Sequence, residues 1–236
     1  MDIFYLSDDI FIKNNTMFFI NNNKNLKINK SNWHKYLRNI GWEKLNRNYI
    51  SQLNKLVLKP NKNSLFGILD CGGDGNCLFN CIEYAYNNNI NTDELISSKL
   101  LRSKIATSIN NTIFNDIISY YKILHDNNEI EYFNPYKTTL KDFKKLIQNE
   151  DFWCDYILIN QLINILKINI IILFNNNDKL SIYNTLHKYD EELPSIIIYY
   201  LSNEHFQLIG YFNKIMHTWF TNDILPNEIK LLLNIK

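Results

Sequence analysis

The sequence predicts a mixed α/β (α+β) domain in which a small central sheet is flanked by helices. Three observations predict it. Apolar residues recur at helical spacing through the first two thirds of the chain, as in Leu100, Leu101, Ile105, Ile109, Ile113 and Ile117. Isoleucine-rich runs of strand length gather late, at 168–174, 196–201 and 206–212. A chain of 236 residues with 46% hydrophobic and 14% aromatic content can fill one large core. Helices first and strands late place a small sheet toward the C-terminal end.

The elements follow in order. Residues 1–30 carry apolar bursts at 10–12 and 17–20 separated by Asn and Lys, which read as a short hairpin or a loose lead-in. Ser31 or Asn32 caps a helix starting near Trp33, with Trp33, Tyr36, Leu37 and Ile40 at helical spacing and Gly41 as its break. A second amphipathic helix puts Leu45, Tyr49, Leu53, Leu56 and Val57 on one face and stops at Pro60. Segment 61–64 is the expected boundary between an N-terminal extension, 1–60, and the main domain, 61–236. A short lead-in at 65–69 reaches a glycine-rich turn, followed by helices at 78–86 and 95–121. A loop at 127–136 contains Pro135, and helices follow at 139–148 and 156–166. The strand at 168–174 turns at 175–178 into a short strand at 180–183. The strands at 196–201 and 206–212 are joined by a hairpin, and a last helix at 228–233 follows Pro226. No internal repeat is present.

Composition excludes several classes. Lys and Arg (25) nearly balance Asp and Glu (24), giving a net charge of +1. Phosphate binding needs a concentrated basic face, so nucleic acid is not the expected partner. No apolar run approaches the roughly 20 residues of a membrane span. The start, Met1-Asp2-Ile3-Phe4, has no basic region of a secretory signal. Four cysteines in a chain of this length are not a disulfide framework. The expected setting is the cytoplasm, with reduced thiols. The Asn-, Ile- and Lys-rich composition is that of an AT-rich genome, such as a large DNA virus (placing the protein in host cytoplasm) or a protist.

The densest chemical signal is Gly72-Gly73-Asp74-Gly75-Asn76-Cys77-Leu78-Phe79. One cysteine stands directly after a polar, glycine-rich turn and directly before an apolar helix. At a helix N-terminus, unpaired N–H groups and the positive end of the helix dipole favour a thiolate. The same N–H groups can hold a developing oxyanion. Far downstream, His205 stands at the mouth of an apolar strand pair, in Asn203-Glu204-His205-Phe206-Gln207-Leu208. A thiol nucleophile and a histidine base make a cysteine hydrolase. The bland alternative for Cys77 is a packed core cysteine, but a core cysteine needs no permissive glycine backbone beside it.

Asp74-Gly75-Asn76-Cys77-Leu78-Phe79 resembles the catalytic-cysteine motif of the OTU (ovarian tumour) family of cysteine proteases, which are mostly deubiquitinases. His205-Phe206 with its apolar strand resembles that family's histidine motif. Trp153 and segment 156–174 are similar to its Trp, helix and buried strand. The resemblance runs from about 65 to 212. It implies a papain-type fold and hydrolysis of the isopeptide bond after the C-terminal glycine of ubiquitin or a ubiquitin-like modifier, through a thioester. It implies no metal and no organic cofactor, and ubiquitin, polyubiquitin or a ubiquitin-like protein as partner; the expected state is a monomer. It implies catalytic roles for Cys77, His205 and Asp74, the last fixing the oxyanion loop at Gly75 and Asn76. The N–H of Cys77 and that of Asp74 or Gly75 would form the oxyanion hole. The distal ubiquitin would rest on 109–150. Many family members carry Asp or Asn two residues after the histidine; here that position is Gln207. The candidates for the ring's partner are therefore Gln207, Asn203 or a carboxylate from elsewhere in the chain.

Other readings are weaker. His34, His125, His187 and His217 lie outside the motif, and Trp153 reads as scaffold. Cys71, Cys77, Cys81 and Cys154 lack the paired short spacings of a zinc site. The glycine turn lacks the Lys-Ser or Lys-Thr of a phosphate loop. Two alternatives to a deubiquitinase remain: an OTU-fold ubiquitin-binding module with weak catalysis, motivated by Gln207, and a cysteine hydrolase of small amides.

Overall fold

The computed structural model describes residues 3–22, 24–61, 63–89, 94–183, 187–201 and 205–235. The chain opens with a four-stranded antiparallel meander, β1 (Ile3–Tyr5), β2 (Ile10–Lys13), β3 (Thr16–Asn21) and β4 (Lys24–Lys27). This is more order than a loose lead-in. Lys13 pairs with Thr16, so Asn14 and Asn15 form a two-residue hairpin loop, and both have positive φ (49° and 53°). Asparagine tolerates that left-handed conformation, which suits a hairpin to the strand twist.

The main sheet has the order β5-β6-β10-β9-β7-β8, with β11 paired to β10. Its strands are β5 (Trp42–Lys44), β6 (Phe66–Leu69), β7 (Asn169–Asn176), β8 (Lys179–Ile182), β9 (Ser195–Leu201), β10 (His205–Asn213) and β11 (Ile215–His217). β7 and β9 are parallel; the other neighbours are antiparallel. Both faces of the centre are buried. Ile170, Ile172, Ile196, Ile198 and Leu208 enter one core, and Ile171, Leu173, Ile197, Tyr199 and Ile209 enter the other. A strand covered on both sides reads as a continuous apolar run, which explains the isoleucine clusters.

Helices α3 (Cys77–Asn87), α4 (Ser98–Ser108), α5 (Asn111–Asp126), α6 (Leu140–Ile147) and α7 (Tyr156–Leu166) feed the first core. α1 (Trp33–Leu37) adds Trp33 to it. α2 (Arg47–Leu56) and α8 (Asn227–Leu232) pack together and cover the second. The single helix expected over 95–121 is two helices. Ile109 leaves the helix with extended backbone, and the Asn110 side chain caps α5 by accepting from Ile113 N–H at 3.0 Å.

The boundary expected at 61–64 does not separate two bodies. β5, before it, pairs with β6, after it, through Trp42↔Leu69 and Lys44↔Gly67. The indole N–H of Trp33 donates to Ser64 O at 2.9 Å, and its ring stacks 6.1 Å from Phe212. Residues of the presumed extension thus supply an outer strand and part of the core. The strand was hidden because three residues carry too little alternation to register.

Candidate active site

Three chain segments meet at one end of the main sheet: the end of β6, the N-terminus of α3 and the start of β10. α3 packs on β10. Cys77 is the first residue of α3 and is 4% exposed. Its thiol lies against the backbone N–H of Phe206, the residue after His205. Cys81, one turn further along α3, turns its thiol to Phe206 O at 3.6 Å and sits wholly in the core. All four cysteines are free thiols.

Burial raises the Cys77 pKa above the ordinary thiol value; Asp74 and Asp70 push it the same way, while the Phe206 and Leu78 backbone groups oppose it. This loss of hydration, at 4% exposure, works against the thiolate that the helix terminus favours. Burial also holds the Cys81 and Cys154 thiols well above their ordinary range. An acid whose pKa is higher folded than unfolded stabilises the fold below its unfolded value, about 8.5, and loses that contribution as pH rises beyond it. The urea midpoint should accordingly be lower at about pH 9.5 than at about pH 7.5; an equal or higher midpoint would contradict these burials.

His205 opens β10, and its ring Nε2 lies 3.1 Å from Asp70 Oδ1. The His205 side chain is 18% exposed. This partner is neither Gln207 nor Asn203 but the remaining alternative, a carboxylate from elsewhere in the chain. Asp70 follows the last residue of β6, and Leu69 pairs with Leu208. One step further the register sets Asp70 opposite Gln207 and diagonal to His205, within reach of a side chain. Gln207 faces the Asp70 carboxylate and favours its charged form, so it supports the ring's partner in place of being it. Asn203 lies outside the described residues. The Gly72 N–H, donating to Asp70 Oδ1 at 2.9 Å, holds the Asp70 pKa below the usual carboxylate range, and His205 and Gln207 add to this. Asp70 is thus an anion at neutral pH. The available signal was a carboxylate directly after an apolar run and beside the glycine turn; its partner is 135 residues away.

The turn before Cys77 is tied by Asp74. Its carboxylate accepts from Asn76 N–H at 3.0 Å, and its carbonyl accepts from Cys77 N–H at 3.1 Å. Asn76 is buried, and its side-chain oxygen accepts from Arg102 Nε at 2.7 Å. Gly72 has φ +117°, a left-handed conformation that favours glycine. At Gly75 the need is space: a Cβ would overlap the Glu150 carbonyl oxygen. Gly73 faces open space and answers neither need. Gly75→Ala should lower turnover at least about a hundredfold, the cost of a displaced oxyanion donor, and lower Tm. Gly73→Ala should leave Tm unchanged. Equal melting and turnover at Gly75→Ala would contradict the close approach.

Beside Phe206 lies a cavity of about 320 Å³, lined by Trp153, Tyr156, Tyr183, Tyr200 and Phe206 with Glu129 at its wall. Trp153 is 40% exposed there, a cleft wall and not core. Of the other described histidines, His217 bonds Asn213 O and His125 lies near Asp126.

No curated protein matches the sequence. Among solved structures, the OTU domain of OTUD1 is similar at 17% identity, covering 78% of this chain and 93% of its own, with a TM-score of 0.42. An OTU deubiquitinase from Wolbachia pipientis wMel, bound to ubiquitin, is similar at 14% identity, covering 62% and 96%, with a TM-score of 0.41. The viral OTU domain protease from Farallon virus is similar at 14% identity, covering 73% and 98%, with a TM-score of 0.43. The sequence model of the OTU-like cysteine proteases matches residues 72–206, from the glycine turn through His205 and over more than half of the chain. The chain belongs to the OTU-like cysteine protease family.

Proposed function

We propose that this protease is a deubiquitinase, hydrolysing the isopeptide bond between the C-terminal glycine of ubiquitin and a lysine, with Cys77 as nucleophile and His205 as base. The observation that carries the site assignment is the pair His205 Nε2–Asp70 on a strand whose next N–H meets the Cys77 thiol. An ionised Asp70 accepts from Nε2–H and leaves Nδ1 as the basic nitrogen. That nitrogen takes the Cys77 proton. The sulfur forms a bond to the glycine carbonyl carbon, and the carbonyl electrons move to oxygen. The C–N bond then breaks, and the lysine amine leaves with the proton from Nδ1. Water gives a proton to Nδ1 and attacks the thioester carbon; the C–S bond breaks, and the sulfur takes the proton back from Nδ1, restoring the thiol.

Of the N–H donors named for the oxyanion, Cys77 and Asp74 fit best. The carbonyl of Asp74 points at Cys77 N–H, and a trans peptide then sends Gly75 N–H the opposite way. The Cys77 N–H shares its 3.1 Å bond to Asp74 O with the oxyanion as the substrate enters. The distal ubiquitin rests on the surface of α5 and the loop after it, where Tyr120, Ile123, Tyr132 and Tyr136 are exposed. Its tail passes the aromatic cavity beside Phe206. We place the reaction in the cytoplasm; four unpaired thiols fit a reducing compartment. Asp70 supplies the charge that Gln207 lacks, which removes the motive for a non-catalytic module.

The test is cleavage of isopeptide-linked ubiquitin dimers and of a fluorogenic ubiquitin substrate. Release of free ubiquitin is the expected result. Turnover of small amides with no cleavage of ubiquitin or any ubiquitin-like conjugate would overturn the reading in favour of an amidohydrolase.

A further inference from the structure

Arg102 lies on α4, outside every sequence motif, and is 2% exposed. A buried arginine usually faces a carboxylate. Among the described residues this one forms no ion pair; four of its five donors meet neutral oxygens. Nε donates to Asn76 Oδ1 at 2.7 Å, and Nη2 to Gly75 O at 2.8 Å. Nη1 donates to Ile147 O at 2.8 Å and to Phe152 O at 2.9 Å. The guanidinium also lies over the Phe79 ring, 4.4 Å from its centroid, two residues into α3 from Cys77.

Two of these acceptors belong to the turn before the nucleophile. The other two flank the loop whose Glu150 carbonyl abuts Gly75. A guanidinium is a rigid planar fork, so each acceptor's position constrains the others. Turning the Gly75–Asn76 peptide would break the bond to Gly75 O and leave a buried charge short of an acceptor, a costly arrangement.

We propose that Arg102 is the positioning residue of the oxyanion turn, its fork locking the Gly75 carbonyl and the Asn76 side chain against the 147–152 loop so that the turn keeps the geometry acyl transfer requires. The inference rests on Cys77 being the nucleophile. It adds a residue that touches neither thiol nor substrate and acts through main-chain orientation.

Arg102→Lys keeps the charge and loses the fork. We expect kcat to fall at least about thirtyfold, with KM changing less than about threefold, since one misplaced oxyanion donor costs about 10²–10³. Alkylation of Cys77 by iodoacetamide, mapped by mass spectrometry, builds no oxyanion, so its rate should stay within about threefold of wild type. A folded Arg102→Lys with kcat within about threefold of wild type would overturn the proposal. So would alkylation and turnover falling in parallel, the signature of general damage. If Arg102→Lys does not fold, Asn76→Ala carries the test: it leaves Arg102 its three carbonyl bonds, and about a tenfold loss in kcat without loss of alkylation is expected. Unchanged kcat there overturns the proposal. A wild type that cleaves no ubiquitin substrate contradicts the proposed substrate instead, and burst acylation by p-nitrophenyl acetate then serves the same comparison.

Discussion

Cys77→Ala should reduce cleavage of ubiquitin conjugates by about 10⁴-fold or more, the loss seen when a covalent nucleophile is removed from a hydrolase. Neither of the two buried thiols nearby can replace it. Cys81 is one turn deeper with its sulfur on Phe206 O, and Cys154 is buried with its thiol held neutral. Cys81→Ala should therefore keep turnover within about threefold and cost only a small core truncation. Binding should survive in Cys77→Ala, because the surface on α5 is untouched. A ubiquitin titration with unchanged Kd beside absent turnover would separate chemistry from recognition. Residual cleavage above about 1% of wild type would mean that another group attacks the carbonyl.

Asp70→Asn should lower kcat about a hundredfold, close to 2.7 kcal/mol, with little change in KM. The carboxylate fixes the ring with Nε2–H toward itself and stabilises the imidazolium that forms when the thiol proton moves. An amide can present its own N–H to that nitrogen and select the wrong tautomer, the fault that makes such a change severe in serine proteases. A thiol is a stronger acid than a hydroxyl, so the loss here is smaller. Gln207→Ala removes only a group that steadies Asp70 and should cost less than about fivefold. If Gln207→Ala cost more than Asp70→Asn, the ring's working partner would be Gln207 and the 3.1 Å contact would be incidental.

The half of the site that lies close together in sequence was legible. The glycine turn, Asp74 and Cys77 lie within six residues, and local chemistry dictates what each does. His205 was legible because it stands where an apolar strand begins. Asp70 was not, because its role depends on β6 lying beside β10, a pairing across more than 130 residues that no local pattern encodes. Arg102 was hidden for the reverse reason. On α4 it reads as one more cation on a solvated face, and only the tertiary structure turns it inward. Among the elements, α7 was readable to the residue, from Tyr156 to Leu166. The break at Ile109–Asn110 was masked because the apolar spacing continues in phase across it. The three glycines of the turn divide similarly: Gly72 is required by φ and Gly75 by the Glu150 carbonyl, and neither reason is visible in a string of letters.

The most direct test of the Cys77–His205–Asp70 assignment is capture of the full chain by ubiquitin carrying an electrophile in place of its C-terminal carboxylate, followed by peptide mapping. The expected result is one ubiquitin added per chain, attached at Cys77, with capture slowed in His205→Ala and in Asp70→Asn. An adduct mapped to Cys71 or Cys154, or folded protein that stays unmodified while it cleaves another amide, would contradict it.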